Sequence, residues 1–420
     1  MEMKVAVIGA GISGLSISRM LKEDGYDVTT FEGESKVGGL IKCKDENGSL
    51  FHQTGGHVFN TKYKEAGEWF WNQFDREKEF TKALRNSAIV LKDRLVPYPI
   101  ENYVYQLDEC TQKNIINDLL AIHSQGASAP SNFEEFLRTR FGETLYNIYF
   151  QPYNYKIWRK ELNSVPLAWL EGKLPMPTVE EILFNNFNHI KEEAFVHSSF
   201  YYPCQGGSQF IAERLAQGLD ICLNSKIEKI SKEGNKWNIN NRLFDKVVFC
   251  GNIKQLPSIQ GLQDIISGYH DDINALEAHG TTAVFCQIDK NDLSWIYLPD
   301  REHESHRIIC TGNFSPNNNK GIKEGCITAS IEFTDYISKE DIIDNLKRIP
   351  YAPQYIDHHY EPYTYPIQSN RTRDMICSLK QKLEQEDFYL LGRFAEWEYY
   401  NMDVAINAAI NLRTKMTTVK

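Results

Sequence analysis

Gly9, Gly11 and Gly14 fall in the pattern Gly-x-Gly-x-x-Gly, and Glu32 and the pair Gly38-Gly39 follow a short way along the chain. Glycines so spaced let a chain turn sharply, bring bare backbone against a pyrophosphate and pack a helix closely on a strand. A carboxylate about 20 residues further on can accept the hydroxyls of a ribose. The elements that must hold these residues are legible on either side. Val5, Val7 and Ile8 form an apolar run suited to a buried parallel strand. Ile12, Leu15, Met20 and Leu21 recur at helical spacing as far as Gly25, and residues 28–31 form a second strand that delivers Glu32. A glycine-rich turn alone carries little weight; strand, helix, second strand and acid in this order predict a dinucleotide site.

The stretch from Glu32 to Leu40 resembles the fingerprint of FAD-binding oxidoreductases, in which a glycine pair after the ribose acid lets the backbone run close to the cofactor. FAD is therefore expected in preference to NAD. No second Gly-x-Gly-x-x-Gly follows downstream, which argues against a separate nicotinamide domain. Reducing equivalents would come from the substrate or from an external donor.

Composition narrows the rest. The chain has 420 residues, 42% hydrophobic and 24% charged, enough for two or three packed domains of an ordinary globular protein. Its net charge of -10 is spread without an acidic or basic block, which argues against nucleic acid as a ligand. No stretch reaches the roughly 18 apolar residues of a membrane span and no signal peptide is visible, so a cytoplasmic location is expected. The nine cysteines show no ligand spacing and, with Cys250, Cys286 and Cys310 set in apolar runs, read as reduced core residues. No metal site is expected; paired acids for glycoside hydrolysis and a nucleophile elbow are absent as well.

Along the chain the pattern changes several times. Residues 65–74 and 112–140 are rich in helix formers, with Ser131-Asn-Phe-Glu-Glu resembling a capped start. Strand-like runs return at 226–230, 237–239 and 246–250, the first carrying Ile227 to where flavoproteins of this type pack the adenine. Period-two runs at 283–288, 295–298, 308–311 and 326–333 predict a further sheet. The expected fold class is α/β: a Rossmann-type FAD-binding domain with a helical insertion and a mostly antiparallel substrate-domain sheet. The FAD-binding domain is expected in three parts, 1–75, 189–275 and 386–420. Between them lie a substrate region with the helical insertion at 76–188 and the antiparallel-sheet substrate domain at 276–385.

Several further motifs occur in order: Gln53-Thr-Gly-Gly56-His57-Val-Phe, Pro97-Tyr-Pro-Ile100, Tyr153-Asn-Tyr-Lys-Ile-Trp158, Trp295-Ile-Tyr297-Leu-Pro, and His306-Arg307 leading to Asn313-Phe-Ser-Pro316. Tyr365-Pro-Ile367 and Gly392-Arg393 with Tyr399-Tyr-Asn401-Met402-Asp403 close the series. Together they resemble UDP-galactopyranose mutase and its close flavoprotein relatives, within the wider amine-oxidase and protoporphyrinogen-oxidase group. The glycine motifs are shared by that whole group. The Tyr-x-x-x-x-Trp element, the Trp-x-Tyr to Asn-x-Ser-Pro stretch and the closing Gly-Arg to Tyr element are more specific to the mutases.

The resemblance implies interconversion of pyranose and furanose forms of a nucleotide sugar through N5 of reduced FAD, without net redox change, in polysaccharide or lipopolysaccharide synthesis. By position, Arg307, Lys173, His57 and Tyr399 are implied as catalytic residues. Gly9, Gly11, Gly14, Glu32, Gly38, Gly39, Gly56, His57, Ile227, Arg393, Asn401 and Met402 are implied as cofactor-binding. Tyr153, Trp158, Lys173, Tyr297, Arg307, Tyr365 and Tyr399 are implied as substrate-binding. Implied partners are a nucleotide sugar and an external reductant for the flavin, with self-association left open. Two features depart from the mutase pattern. Lys173 stands in the segment Trp169-Leu-Glu-Gly-Lys173 where the family has an arginine that grips the diphosphate, and a lysine lacks the planar two-point contact of a guanidinium. The Tyr202-Pro-Cys-Gln-Gly-Gly207-Ser element is closer to the wider oxidase group and to the eukaryotic-type mutases. An FAD-dependent oxidase of the amine-oxidase or protoporphyrinogen-oxidase type is therefore the alternative.

Overall fold

The computed structural model describes residues 2–92, 94–126, 129–167, 177–190 and 199–418. Its first layer is a five-stranded parallel sheet in the order Phe388–Leu390, Lys246–Phe249, Lys4–Ile8, Asp27–Phe31, Asp220–Cys222. Successive side chains of a strand point to opposite faces, and the central strand shows it. Val5 and Val7 pack with Leu15, Met20 and Leu21 of the helix Ile12–Glu23 and with Ile406 and Leu412 of the helix Met402–Thr418. Ala6 and Ile8 face the other way, toward Trp237 of a small antiparallel meander (Ser231–Glu233, Lys236–Ile239, Arg242–Phe244) and Leu379 of the helix Asn370–Glu384. The Rossmann-type α/β expectation holds.

One expected strand is corrected. The edge strand beside Asp27–Phe31 is Asp220–Cys222, not residues 226–230. Asn224, with φ +51°, turns the chain, and the Ser225 N–H donates to the Glu32 carbonyl at 2.7 Å. The following residues therefore pass over the end of the sheet, where their strand-like pairing is reduced to an isolated bridge between Lys229 and Gln260.

The second layer is a seven-stranded sheet in the order Gln354–Pro366, Ala278–Asp289, Cys326–Thr334, Arg307–Ile309, Trp295–Tyr297, Ser87–Leu91, Arg94–Pro97. Every pairing is antiparallel except that of Trp295–Tyr297 with Ser87–Leu91. Its register sets Tyr297 opposite Arg307 and Arg307 opposite Glu332, one row across three strands. Helices Glu109–Gln125, Phe133–Leu145, Gln151–Trp158 and Val179–Phe187 pack on it through Leu119, Leu137, Leu145, Trp158 and Ile182. The helix-rich run at 112–140 is thus two helices. The second is capped by Asn132, whose side chain accepts the Glu135 N–H at 3.0 Å, and Ser131 donates its hydroxyl to the Glu135 carboxylate at 2.7 Å.

Candidate active site

The ends of the parallel strands open onto a cavity of about 770 Å³ that also borders the seven-stranded sheet. Open parallel sheets bind ligands at this end of their strands. Gly14 makes the first turn compact: a Cβ there would stand 1.9 Å from the Gly9 carbonyl oxygen. Gly9 has φ +105° and donates its N–H to the Phe31 carbonyl at 2.7 Å, tying the turn to the second strand. Gly11 differs, because a Cβ there would meet only the Gly39 Cα, at an ordinary 3.8 Å. The room beside Gly11 is left free by the protein itself. The Gly38 N–H donates to the Ala10 carbonyl at 2.9 Å, and Gly38 and Gly39, with φ of +127° and +55°, carry a second strip of bare backbone past Gly11. Both strips lie at the N-terminus of the helix Ile12–Glu23, where free N–H groups and the helix dipole favour an anion. The Glu32 carboxylate is fixed by the N–H groups of Ala10 (2.7 Å) and Glu34 (3.0 Å) and lines the same end, with Ile227 close by.

The segment Thr54–His57 lines the cavity. Gly55, with φ +61°, donates its N–H to Glu332 Oε1 at 2.9 Å. Gly56 lies against the sheet so closely that a Cβ would come within 2.7 Å of the Ile309 side chain and 3.2 Å of Trp295 Nε1. His52 supports this turn from below: its Nε2 is 2.7 Å from the Tyr202 hydroxyl, and the His57 N–H points at its Nδ1 at 3.3 Å. Burial pushes His52 down to about 3. Burial, with the Arg393 charge added, pushes His57 down to about 4, so both rings are neutral at pH 7. His57 Nε2 is buried and has no hydrogen-bond partner among the described residues.

The remaining wall is made of arginines and tyrosines. Arg307 forms an ion pair with Glu332 and donates from Nη2 to the Tyr365 hydroxyl at 2.9 Å. Glu332 is 1% exposed; burial alone would raise its pKa, but Arg307 and His306 outweigh it and hold the carboxyl well below the usual range. Tyr365 and Tyr399 stack with ring centroids 5.6 Å apart at 9°, and the Arg393 guanidinium lies 4.1 Å from the Tyr399 ring. Arg393 donates to the Tyr400 and Thr364 carbonyls, while its buried Nε has no partner among the described residues. Asn401 and Met402 line the cavity, as do Tyr297 and Trp295.

The cavity therefore gathers Gly9, Gly11, Gly14, Glu32, Gly38, Gly39, Gly56, His57, Ile227, Tyr297, Arg307, Tyr365, Arg393, Tyr399, Asn401 and Met402. Tyr153 and Trp158 do not line it. Tyr153 packs edge-on behind Tyr297 at 5.6 Å, and Trp158, 8% exposed, belongs to the helical core. Lys156, on the same helix, is 6% exposed and donates to the carbonyls of Leu298 and Ser305, both at 2.8 Å. It ties that helix to the loop between the strands of Tyr297 and Arg307. Lys173 lies outside the described residues.

Two residues of this wall escape a reading of the sequence. Glu332 has a signal, since it is the lone charged residue of the strand-like run 326–334, set between Ile331 and Phe333. Arg85, between Leu84 and Asn86, has none. The cradle has the features a flavin dinucleotide requires: bare backbone at a helix N-terminus, an anchored carboxylate, and two buried nitrogens, His57 Nε2 and Arg393 Nε, that the described residues leave unpartnered. Among the described residues no cluster could hold a metal ion, and no helix is long and apolar enough to cross a membrane.

Residues 7–74 match the family model of an NAD(P)-binding Rossmann-like domain. Over 97% of its length the chain is 24% identical to the dTDP-fucopyranose mutase of Escherichia coli, of which the match covers 96%. It is 23% identical to the UDP-galactopyranose mutase of Mycoplasma genitalium over 97% of this chain and 93% of that one. Among solved structures, a reduced UDP-galactopyranose mutase superposes with a TM-score of 0.89 at 21% identity, covering 100% of this chain and 95% of the other. A putative protoporphyrinogen oxidase from Exiguobacterium superposes with a TM-score of 0.76 at 14% identity, covering 100% of both chains. The resemblance to the mutases seen in the motifs thus extends over nearly the whole chain.

Proposed function

We propose that this chain is a flavin-dependent nucleotide-sugar mutase, interconverting the pyranose and furanose forms of a hexose carried on UDP or dTDP. The observation that carries the reading is a single cavity in which a dinucleotide cradle runs into a wall of arginines and tyrosines, in a chain similar over its length to two such mutases. We assign FAD as the cofactor, held by residues 1–75, 189–275 and 386–420, with the nucleotide sugar taken by 76–188 and 276–385. In its reduced form the flavin supplies a nucleophilic nitrogen.

The protein supplies position and charge. Gly11, Gly38 and Gly39 offer backbone to the pyrophosphate of the cofactor and Glu32 accepts its ribose hydroxyls, while Gly56, His57, Arg393, Asn401 and Met402 surround the ring. Neutral His57 offers a ring nitrogen without adding positive charge. Tyr365 and Tyr399, stacked on each other beside Arg393, and Tyr297 line the part of the cavity assigned to the sugar. Arg307 borders the cavity with its charge paired to Glu332, and Lys173 is assigned to the diphosphate by its place in the sequence. Holding both reactants in one preorganised site is worth several orders of magnitude in rate. An external donor reduces the flavin, and the protein works in the cytoplasm in polysaccharide or lipopolysaccharide synthesis.

The test is to incubate dithionite-reduced and oxidised protein with UDP-galactose and with dTDP-fucose, and to follow furanose formation by chromatography. Turnover by the reduced form alone supports the mutase. The fold likeness to a protoporphyrinogen oxidase keeps a second reading in view. Oxygen consumption with an amine or a porphyrinogen, and no binding of UDP or dTDP, would establish the oxidase instead.

A further inference from the structure

We propose that Arg85 is a cation of this site that takes up the diphosphate of the nucleotide sugar, an inference that rests on the mutase reading. Arg307 is already committed: Glu332 neutralises it directly, and its Nη2 is occupied by Tyr365. Arg393 directs both terminal nitrogens to backbone carbonyls and is stacked on Tyr399. Arg85 also lines the cavity, and among the described residues it has no carboxylate partner. Its Nε donates to Ser87 Oγ at 3.0 Å and its Nη2 to the Tyr297 hydroxyl. Its guanidinium lies 5.3 Å from the centroid of the Tyr98 ring and 5.2 Å from that of Trp295.

All of these partners are neutral. They hold the planar group still without cancelling its charge, so a partly buried full positive charge borders the cavity. An anion carried by the ligand gains from that charge without a protein carboxylate having to be displaced. The position also separates this cation from the cofactor cradle. Arg85 sits beside Trp295, which touches Gly56, and beside Tyr297, whereas Glu32 and the Gly9 to Gly14 turn belong to the parallel sheet. With Nε and one N–H of Nη2 held by Ser87 and Tyr297, the two N–H groups of Nη1 and the second of Nη2 remain for the oxygens of a diphosphate, a planar edge that a flexible ammonium lacks.

The test compares nucleotides with their phosphate-free nucleosides on flavin-loaded protein, by calorimetry: UDP against uridine and dTDP against thymidine, for wild type, Arg85→Met, Arg85→Gln and Arg85→Lys. Arg85→Met is expected to lose on the order of ten- to a hundredfold in diphosphate affinity. Nucleoside affinity is expected to stay within about threefold and flavin content to be unchanged, with Arg85→Lys recovering part of the loss. An equal loss for nucleoside and diphosphate would make Arg85 a packing residue of the wall and overturn the inference. So would unchanged diphosphate affinity in Arg85→Met while wild type binds UDP or dTDP, and in that case the mutase reading survives. Wild type that binds neither nucleotide would overturn both. Should Arg85→Met fail to fold, Arg85→Gln, which keeps a donor toward Tyr297 without the charge, reads the same difference.

Discussion

Arg307 and Glu332 face each other directly across two antiparallel strands, and the carboxylate that neutralises the arginine also receives the N–H of Gly55. One buried acid thus anchors both the cation of the wall and the glycine turn that lines the cavity. Removing one partner of a buried pair leaves an uncompensated charge, at a cost of about 3–5 kcal/mol. Glu332→Gln and Arg307→Met are each expected to destabilise the protein on that scale. The double variant should cost less than the sum, with a coupling on the order of 2 kcal/mol in urea unfolding. Strict additivity would show that the pair does not act as a unit.

The buried histidines set an acid limit. His52 and His57 lie at about 3 and about 4 in the folded protein against 6.5 in an unfolded chain. Both values are depressed, so below pH 6.5 the unfolded state binds protons that the native state refuses, and stability falls as pH drops toward 4. The loss should reach about 3 kcal/mol per histidine near pH 4.5. Glu332, whose folded carboxyl is also depressed, loses its contribution at still lower pH, below its unfolded 4.5. Unfolding curves at pH 7, 6, 5 and 4.5 measure this, and His52→Gln should flatten the slope between pH 6 and 5.

Gly11 and Gly14 are separable by substitution. Gly14→Ala places a Cβ 1.9 Å from a carbonyl oxygen and should lower stability by about 1–3 kcal/mol or more, as overpacking does. Gly11→Ala meets nothing closer than 3.8 Å in the protein and should leave the melting temperature of flavin-free protein intact while sharply reducing flavin retention. Normal flavin absorbance in purified Gly11→Ala would place the pyrophosphate elsewhere.

Lys156 shifts in the same direction as the histidines but acts in an alkaline window. Burial lowers it to about 7 from 10.5, so between those values the unfolded state binds the extra proton and native stability rises with pH, by about 2–3 kcal/mol from pH 7 to 9. A neutral amine still has two N–H groups for the two carbonyls it bridges. Lys156→Met should abolish that rise and cost about 1–3 kcal/mol for each carbonyl left unpaired. An unchanged pH dependence in the variant would assign the effect to another group.

The nucleotide half of the site is legible in the sequence because its determinants are local. A turn, a helix start and a strand end all fall between Val5 and Gly39, where spacing alone fixes geometry. The substrate half depends on register between distant strands, which spacing cannot express. Tyr297, Arg307 and Glu332 meet only because three strands align in one row. The strand Gln354–Pro366 is not visible in the pattern because His358, His359, Tyr360 and Glu361, half-buried on both faces, break the period-two signal. Tyr153 and Trp158 resemble wall residues in sequence, but aromatic side chains serve packing and binding alike, and here the helix that carries them turns Trp158 into the core and Tyr153 against it.

The parallel sheet is assembled from pieces far apart in the chain: its central strand Lys4–Ile8 takes one neighbour from Lys246–Phe249, which in turn is covered by Phe388–Leu390. On a ribosome, the glycine turn emerges early with the neighbouring strand Asp27–Phe31, but the other side of its sheet is open until these late strands are made. The helix Met402–Thr418, which packs against Ile12–Glu23 and presents Met402 to the cavity, comes later still. A nascent chain stalled before residue 388 therefore carries the glycine turn and Glu32 but lacks Arg393, Asn401 and Met402 and exposes an open parallel edge, the kind of surface that chaperones hold.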